Sequence, residues 1–199
     1  MRIVLLKTGF YSLAGIIAVS ASVMALAEYQ HWSLNLTTCM PVGFYQRGPV
    51  PRRLKVGDRV FFCPPVNSPA MRQAMSGRWL EYSLHGKWAC ADHLQPFMKF
   101  VVALPGQKVT VTKQGVIANG HLLPNSGVVT SIADGRLKVL HLPYATYTVP
   151  ARMFWDYAPG NFAYTSAYYG PVPIRRILGS VKPVPYLTIP GSQYWLKTG

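Results

Sequence analysis

FMKFVVALPGQKVTVTKQGVIANG, residues 97–120, is the stretch that sets the fold class. Phe97 to Leu104 and Lys108 to Val111 are rich in β-branched and aromatic side chains, and Pro105-Gly106 separates them. Gly115 to Ala118 leads into Asn119-Gly120, a pair that adopts φ > 0 readily and so favours a tight hairpin. Three strand-like runs with such short turns predict hairpin-linked β structure.

The pattern extends in both directions. Upstream, Lys55-Val56-Gly57-Asp58-Arg59-Val60-Phe61-Phe62 is a turn and a strand that closes at Cys63-Pro64-Pro65. Downstream, strands are expected at Arg136 to Leu140, Thr146 to Val149, Asn161 to Thr165 and Ile177 to Val184, with turns at Asp134-Gly135 and Pro159-Gly160. Residues 69–84 have passable helical character, which Gly77 weakens. The expectation is a mainly β domain with one short helix. A hydrophobic content of 50% excludes general disorder despite 17 Gly and 17 Pro, and 199 residues suit one domain.

Residues 8–27, TGFYSLAGIIAVSASVMALA, carry no charge, and as a helix they measure about 30 Å, the thickness of a bilayer core. Arg2 and Lys7 precede the run and Glu28 follows it, so the positive-inside rule puts the N-terminus in the cytoplasm. The expected organisation is a cytoplasmic segment 1–7, a transmembrane anchor 8–27 and an exported β domain 28–199. Tyr29 and Trp32 in the connector suit a membrane–water interface. A cleavable signal peptide ending at Ala25-Leu26-Ala27 is the alternative; either way the domain is exported.

Twenty Lys and Arg against six acids give a formal charge of +14. Paired-carboxylate catalysis is disfavoured by this shortage, and without a binding motif the charge does not argue for nucleic acid. No Cys/His spacing supports zinc, the five His are scattered, and no cofactor is expected. In an exported protein, Cys63 and Cys90 are the natural pair, since they flank a loop between two strands, and Cys39 is left over. Three reduced packing cysteines are the alternative.

Cys39 lies in Asn35-Leu36-Thr37-Thr38-Cys39-Met40-Pro41-Val42-Gly43-Phe44-Tyr45, a nucleophile among hydroxyls where Pro41 and Gly43 turn the chain. Among candidate bases Lys99 is preferred. Strand alternation puts Phe97 and Val101 on its face, and an amine withdrawn from water favours its neutral form. A lysine that merely snorkels from a strand edge would have the same sequence.

Together these segments resemble the type I signal peptidase family, most closely its TraF-like branch. Asn35, Thr37, Cys39, Pro41, Gly43 and Tyr45 meet the nucleophile motif; KVGDRVFFCPP at 55–65, KFVVALPG at 99–106 and GVIANG at 115–120 follow in order. Tyr164-Thr165-Ser166-Ala167-Tyr168-Tyr169-Gly170-Pro171 is similar to the closing box, usually S-x-D-S-R-Y-x-G. The resemblance implies a signal-peptidase-like β domain in which Cys39 is the nucleophile and Lys99 the general base. It also implies an oxyanion hole of the Cys39 amide and the Thr37 hydroxyl, and a Cys63–Cys90 disulfide. The partners it implies are a pilin precursor, cleaved and closed onto its own N-terminus, and inner-membrane lipid.

Two departures stand out: cysteine replaces the family's serine, and Thr165 and Ala167 replace the closing-box aspartate and arginine. Thr165 or Ser166 would then orient Lys99 through a hydroxyl, and Asp156 is the nearest acid in sequence. Three accounts of Cys39 stay open: a natural thiol nucleophile, a serine replaced by design, or an inactive homologue kept as a scaffold. A general signal peptidase that removes leaders is the alternative enzyme.

Overall fold

A computed structural model describes residues 2–83, 90, 93–133 and 135–192, with side chains from Leu13 onward. Leu84 at the end of the expected helix, Asp134 of the expected turn and residues 193–199 of the expected β domain lie outside the described residues. In chain order the elements are α1 (Arg2–Tyr29), β1 (Trp32–Asn35), β2 (Gly43–Arg47), β3 (Arg59–Phe62), α2 (Pro69–Ser76), β4 (Phe97–Ala103), β5 (Lys108–Val111) and β6 (Val116–Ala118). β7 (His121–Leu122), β8 (Ser131–Ile132), β9 (Leu137–Lys138), β10 (Ala145–Thr148), β11 (Met153–Tyr157), α3 (Ser166–Tyr169), β12 (Val172–Pro173) and β13 (Ile177–Thr188) follow.

The domain is mainly β, as its turn-punctuated sequence dictates. Seven strands form the principal sheet in the order β1-β2-β13-β3-β4-β11-β12, and β10-β5-β6-β7 form a second. Every pairing is antiparallel, which short turns permit. The main core gathers Val60, Phe62, Val101, Val109, Val111, Phe154 and Trp155 from both sheets. Phe62 meets Phe97 and Phe154 edge-on, the arrangement aromatic quadrupoles favour. A smaller cluster, built on Met40, Tyr45, Met98 and Ala158, supports Cys39 from below.

Several expectations need correction. The helix expected over 69–84 stops at Ser76: Ser68 caps its start by accepting from the Met71 amide, and Gly77 closes it. A second helix, the single turn α3, was not expected. Asn161 to Thr165 is not a strand, because Phe162 has φ 60° and the Ala163 amide turns back to Gly160. The strand lies earlier, at Met153–Tyr157, where burial of nearly every side chain erases the alternation that marks half-buried strands. The 136–140 strand shrinks to Leu137–Lys138.

At the N-terminus the helix is present, as α1. Among the described residues no helix is long and apolar enough to cross a membrane, so the span expected at 8–27 is not established by the structure. The Cys63–Cys90 disulfide is formed, with Cα atoms 5.5 Å apart, and Cys39 is a free thiol. The bridge ties the end of β3 to the segment that leads into β4.

Candidate active site

The loop between β1 and β2 is built around Asn35. Its Nδ2 donates to the carbonyls of Thr37 at 3.0 Å, Met40 at 3.1 Å and Pro41 at 3.0 Å. Its Oδ1 accepts from the Thr37 amide at 3.3 Å and the Thr37 hydroxyl at 2.8 Å. One amide side chain thus replaces the backbone pairing that an irregular loop lacks. Tyr45 adds a bond from its hydroxyl to the Pro41 carbonyl at 2.7 Å. Gly43 ends the loop at φ +143°, where a β-carbon would stand 2.3 Å from the Leu187 carbonyl oxygen.

Cys39 leaves this loop half-exposed and lines a cleft of about 1020 Å³ together with Lys99. The cleft walls include Leu36, Phe61, Trp79, Phe97, Met98, Phe162 and Tyr164, an apolar lining fit for an extended peptide. The Cys39 amide donates to no partner among the described residues, which leaves it free to meet a developing oxyanion. The Thr37 hydroxyl also lines the cleft, but its single proton is engaged by Asn35, so it must rotate to serve an oxyanion.

Lys99 sits on central strand β4, paired with Val60 of β3, and is only 3% exposed. It does not snorkel from a sheet edge. Its Nζ stands 5.4 Å from the centroid of the Phe97 ring and makes no hydrogen bond or ion pair among the described residues. An amine so placed has its hydrogen-bonding capacity open to whatever enters the cleft.

Thr165 and Ser166 are both buried, and neither hydroxyl is bonded to Lys99. Thr165 caps α3, its Oγ1 accepting from the Ala167 amide at 3.4 Å. Ser166 donates to Asp156 Oδ2 at 2.5 Å and accepts from the Asp156 amide at 3.0 Å. Asp156 is fully buried on β11, the strand beside Lys99's own. A register shift between Trp155 and Asp156 sets Asp156 opposite Val101, two residues along the strand from Lys99. Burial pushes its carboxyl up to about 6, against the opposing pull of Ser166, Lys99 and Tyr169.

Gly160 is the residue whose part the sequence hid, since Pro159-Gly160 reads there only as a turn. Its amide donates to the Cys39 carbonyl at 3.2 Å, and a β-carbon on it would stand 1.7 Å from the Thr38 carbonyl oxygen. The turn after β11 therefore presses directly on the loop that carries Cys39.

A family model described as signal peptidase, peptidase S26, matches residues 4–186, nearly the whole chain. The chain belongs to this family. As a peptidase S26 member it is a peptidase by type and acts on protein. Its relatives include the "Probable conjugal transfer protein TraF" of Sinorhizobium fredii, 32% identical over 174 residues and covering 86% of each chain. The "Conjugal transfer protein TraF" of Agrobacterium fabrum is 30% identical and covers 88% of this chain and 93% of that one. Among solved structures, a signal peptidase I of Enterococcus faecalis is similar at a TM-score of 0.35 and 17% identity, over 65% of this chain and 97% of that one.

Proposed function

We propose that this S26 peptidase matures a conjugative pilin by cleavage and cyclisation, with Cys39 as nucleophile and Lys99 as its base. The observation that carries the reading is the convergence of the two side chains on one apolar cleft, the thiol on a braced loop and the amine on a central strand. The similarity to TraF conjugal transfer proteins over most of the chain supports the substrate class.

In the proposed cycle the Cys39 thiol gives its proton to Lys99 and the thiolate attacks the scissile carbonyl carbon. The resulting oxyanion is met by the Cys39 amide and, after rotation, the Thr37 hydroxyl. Lys99 returns the proton to the leaving amine as the C–N bond breaks, which leaves a thioester on Cys39. The pilin's own N-terminal amine then attacks the thioester carbonyl, its proton passing through Lys99 to the departing Cys39 sulfur, so that the C–S bond breaks as the amide forms and the thiol and free lysine are restored. A thioester favours amines over water as acceptors more than an oxygen ester does, which suits a chain-closing reaction.

Helix α1 is the proposed inner-membrane anchor, with the N-terminus cytoplasmic and the β domain periplasmic. In support, the stretch from Thr8 to Ala27 is uncharged, and α1 exposes Leu13, Ile16, Ile17, Val19, Val23, Met24 and Leu26. Incubation of purified protein with a membrane-embedded pilin precursor tests the reading by mass spectrometry. Cyclisation gives a product one water lighter than the cleaved linear chain. A linear product from a range of exported precursors points instead to general leader removal. Processing that survives Cys39→Ala or Lys99→Ala overturns the dyad.

A further inference from the structure

We propose that Arg47 is the positioning residue of the junction between helix and sheet: from β2 it clamps the end of α1, so that the cleft holding Cys39 and Lys99 keeps one fixed place and angle relative to the anchor. The inference rests on the reading of α1 as the anchor and of that cleft as the active site. It concerns how a membrane-embedded substrate reaches the site, not the chemistry within it.

The connection between α1 and β1 is only two residues, Gln30 and His31. The Gln30 amide still donates to the Leu26 carbonyl and the His31 amide to that of Glu28, after which His31 takes φ 54°, a left-handed value that ends the helix and turns the chain into the strand. A residue with a β-carbon holds such a value only where its surroundings fix it. Here β2 does so. The Arg47 amide donates to the His31 carbonyl at 2.9 Å and the Arg47 Nε to the same oxygen at 3.3 Å, while Gln46 Nε2 donates to the Gln30 carbonyl at 3.4 Å. Carbonyls of this kind are the ones a helix end leaves without partners.

Charge acts in the same direction. Glu28 stands in the last turn of α1, the end at which the helix dipole disfavours an acid. The Arg47 guanidinium lies 3.7 Å from its carboxylate, with the arginine side chain 11% exposed and the glutamate 79%. A pair so open to water adds little to stability, so its effect is to orient the guanidinium across the helix end. Trp32 packs its ring 5.9 Å from that of Phe44, which seats the first residue of β1 on β2. Since β1 is an edge strand, the clamp from β2 is what joins α1 to the body of the sheet. Glu28 and Arg47 line the same cleft as Cys39 and Lys99, together with Ser33 and Leu34 of the strand that leads from one pair to the other. The cleft thus extends to the end of α1, and the junction that fixes the helix also bounds the cleft. Four flexible residues here would spread the helix end over about 11 Å, whereas a misplacement of about 1 Å already costs reaction rate.

The test compares a membrane-embedded pilin precursor with a detached peptide carrying the same processing site, both acted on by the full-length protein in liposomes. A Gly-Ser-Gly-Ser insertion between Gln30 and His31 leaves every side chain in place; it should slow the embedded precursor on the order of tenfold and leave the detached peptide nearly unaffected. Arg47→Met should lower the ratio of embedded to detached rates in the same direction, and Arg47→Lys, which keeps a cation for Glu28, should restore part of it. Hydrogen exchange gives a readout that needs no turnover: the His31 and Arg47 amides should be protected in the native protein, and His31 should exchange faster in Arg47→Met. An unchanged rate ratio in the insertion and Arg47→Met variants, whether both substrates are spared or both fall equally, overturns the proposal, as does an Arg47 amide that exchanges like an open loop. Cys39→Ala should abolish turnover of both substrates without altering exchange, so failure of the dyad and failure of the junction are read separately.

Discussion

Gly160 packs against Cys39, donating its amide to the Cys39 carbonyl at 3.2 Å with no room for a side chain between them. The turn after β11 and the loop that carries Cys39 are therefore one unit, although they are far apart in sequence. Gly160→Ala must push the loop by more than an ångström, because the atom in the way is backbone. Displacements of that size cost about 10²-fold in rate. The expected result is a loss of at least that order in pilin processing, with a folded protein by circular dichroism. Near-normal turnover would show that the loop tolerates the shift.

Thr37 offers a measurement of the oxyanion arrangement. Its hydroxyl bonds Asn35 in the resting state and would turn to the oxyanion during reaction. Thr37→Val should lower kcat about 10²–10³-fold, the usual effect of removing one oxyanion donor, with KM nearly unchanged. An equal loss from Asn35→Ala with a lowered melting temperature would fit its different task of holding three loop carbonyls. If Thr37→Val processes at the native rate, the Cys39 amide acts without it.

Asp156 also leaves a signature in stability. Burial raises its carboxyl from the ordinary 3.8 to about 6, so the folded state binds this proton more tightly than the unfolded chain. A raised value contributes stability that is fully present below about pH 3.8 and lost as pH rises through about 6. The loss is about 3 kcal/mol over that window. Urea titrations should show Asp156→Asn gaining on the native protein by roughly this amount between the two limits and running parallel above them. Parallel curves throughout would mean that Asp156 titrates normally.

The Cys63–Cys90 bridge closes a loop whose ends differ by 27 in sequence and fastens one end of the segment between β3 and β4. Reduction, or Cys63→Ser with Cys90→Ser, should lower stability by about 2–4 kcal/mol. The urea midpoint reads this directly. A midpoint unchanged by reduction would show that packing alone holds the segment.

Much of the fold was legible because it depends on local chemistry. Val60-Phe61-Phe62 and Phe97 to Ala103 are strands by residue type, and Asn119-Gly120 fixes a hairpin by its backbone freedom. The Cys63–Cys90 pair was legible likewise, and Cys39 and Lys99, which the family motifs mark, both line one cleft. Met153–Tyr157 was missed because a fully buried strand has no alternation, and Asp156 within it looks like a strand breaker. Asn161 to Thr165 misled for the opposite reason: its composition suits a strand, but Phe162 takes φ 60° and the Ala163 amide turns back to Gly160. What Asp156 and Gly160 do depends on contacts across the fold, with α3 and with Cys39, and spacing along the chain does not encode these.

The most direct measurement of the central claim is the intact mass of the enzyme in an acid-quenched reaction with pilin precursor. The account predicts a transient acyl adduct on the peptide that contains Cys39, removed by hydroxylamine and absent from Cys39→Ala. Lys99→Ala should reduce its formation to background. Processing that continues in Cys39→Ala, or turnover by the native chain through an acyl adduct carried on any other residue, would contradict it.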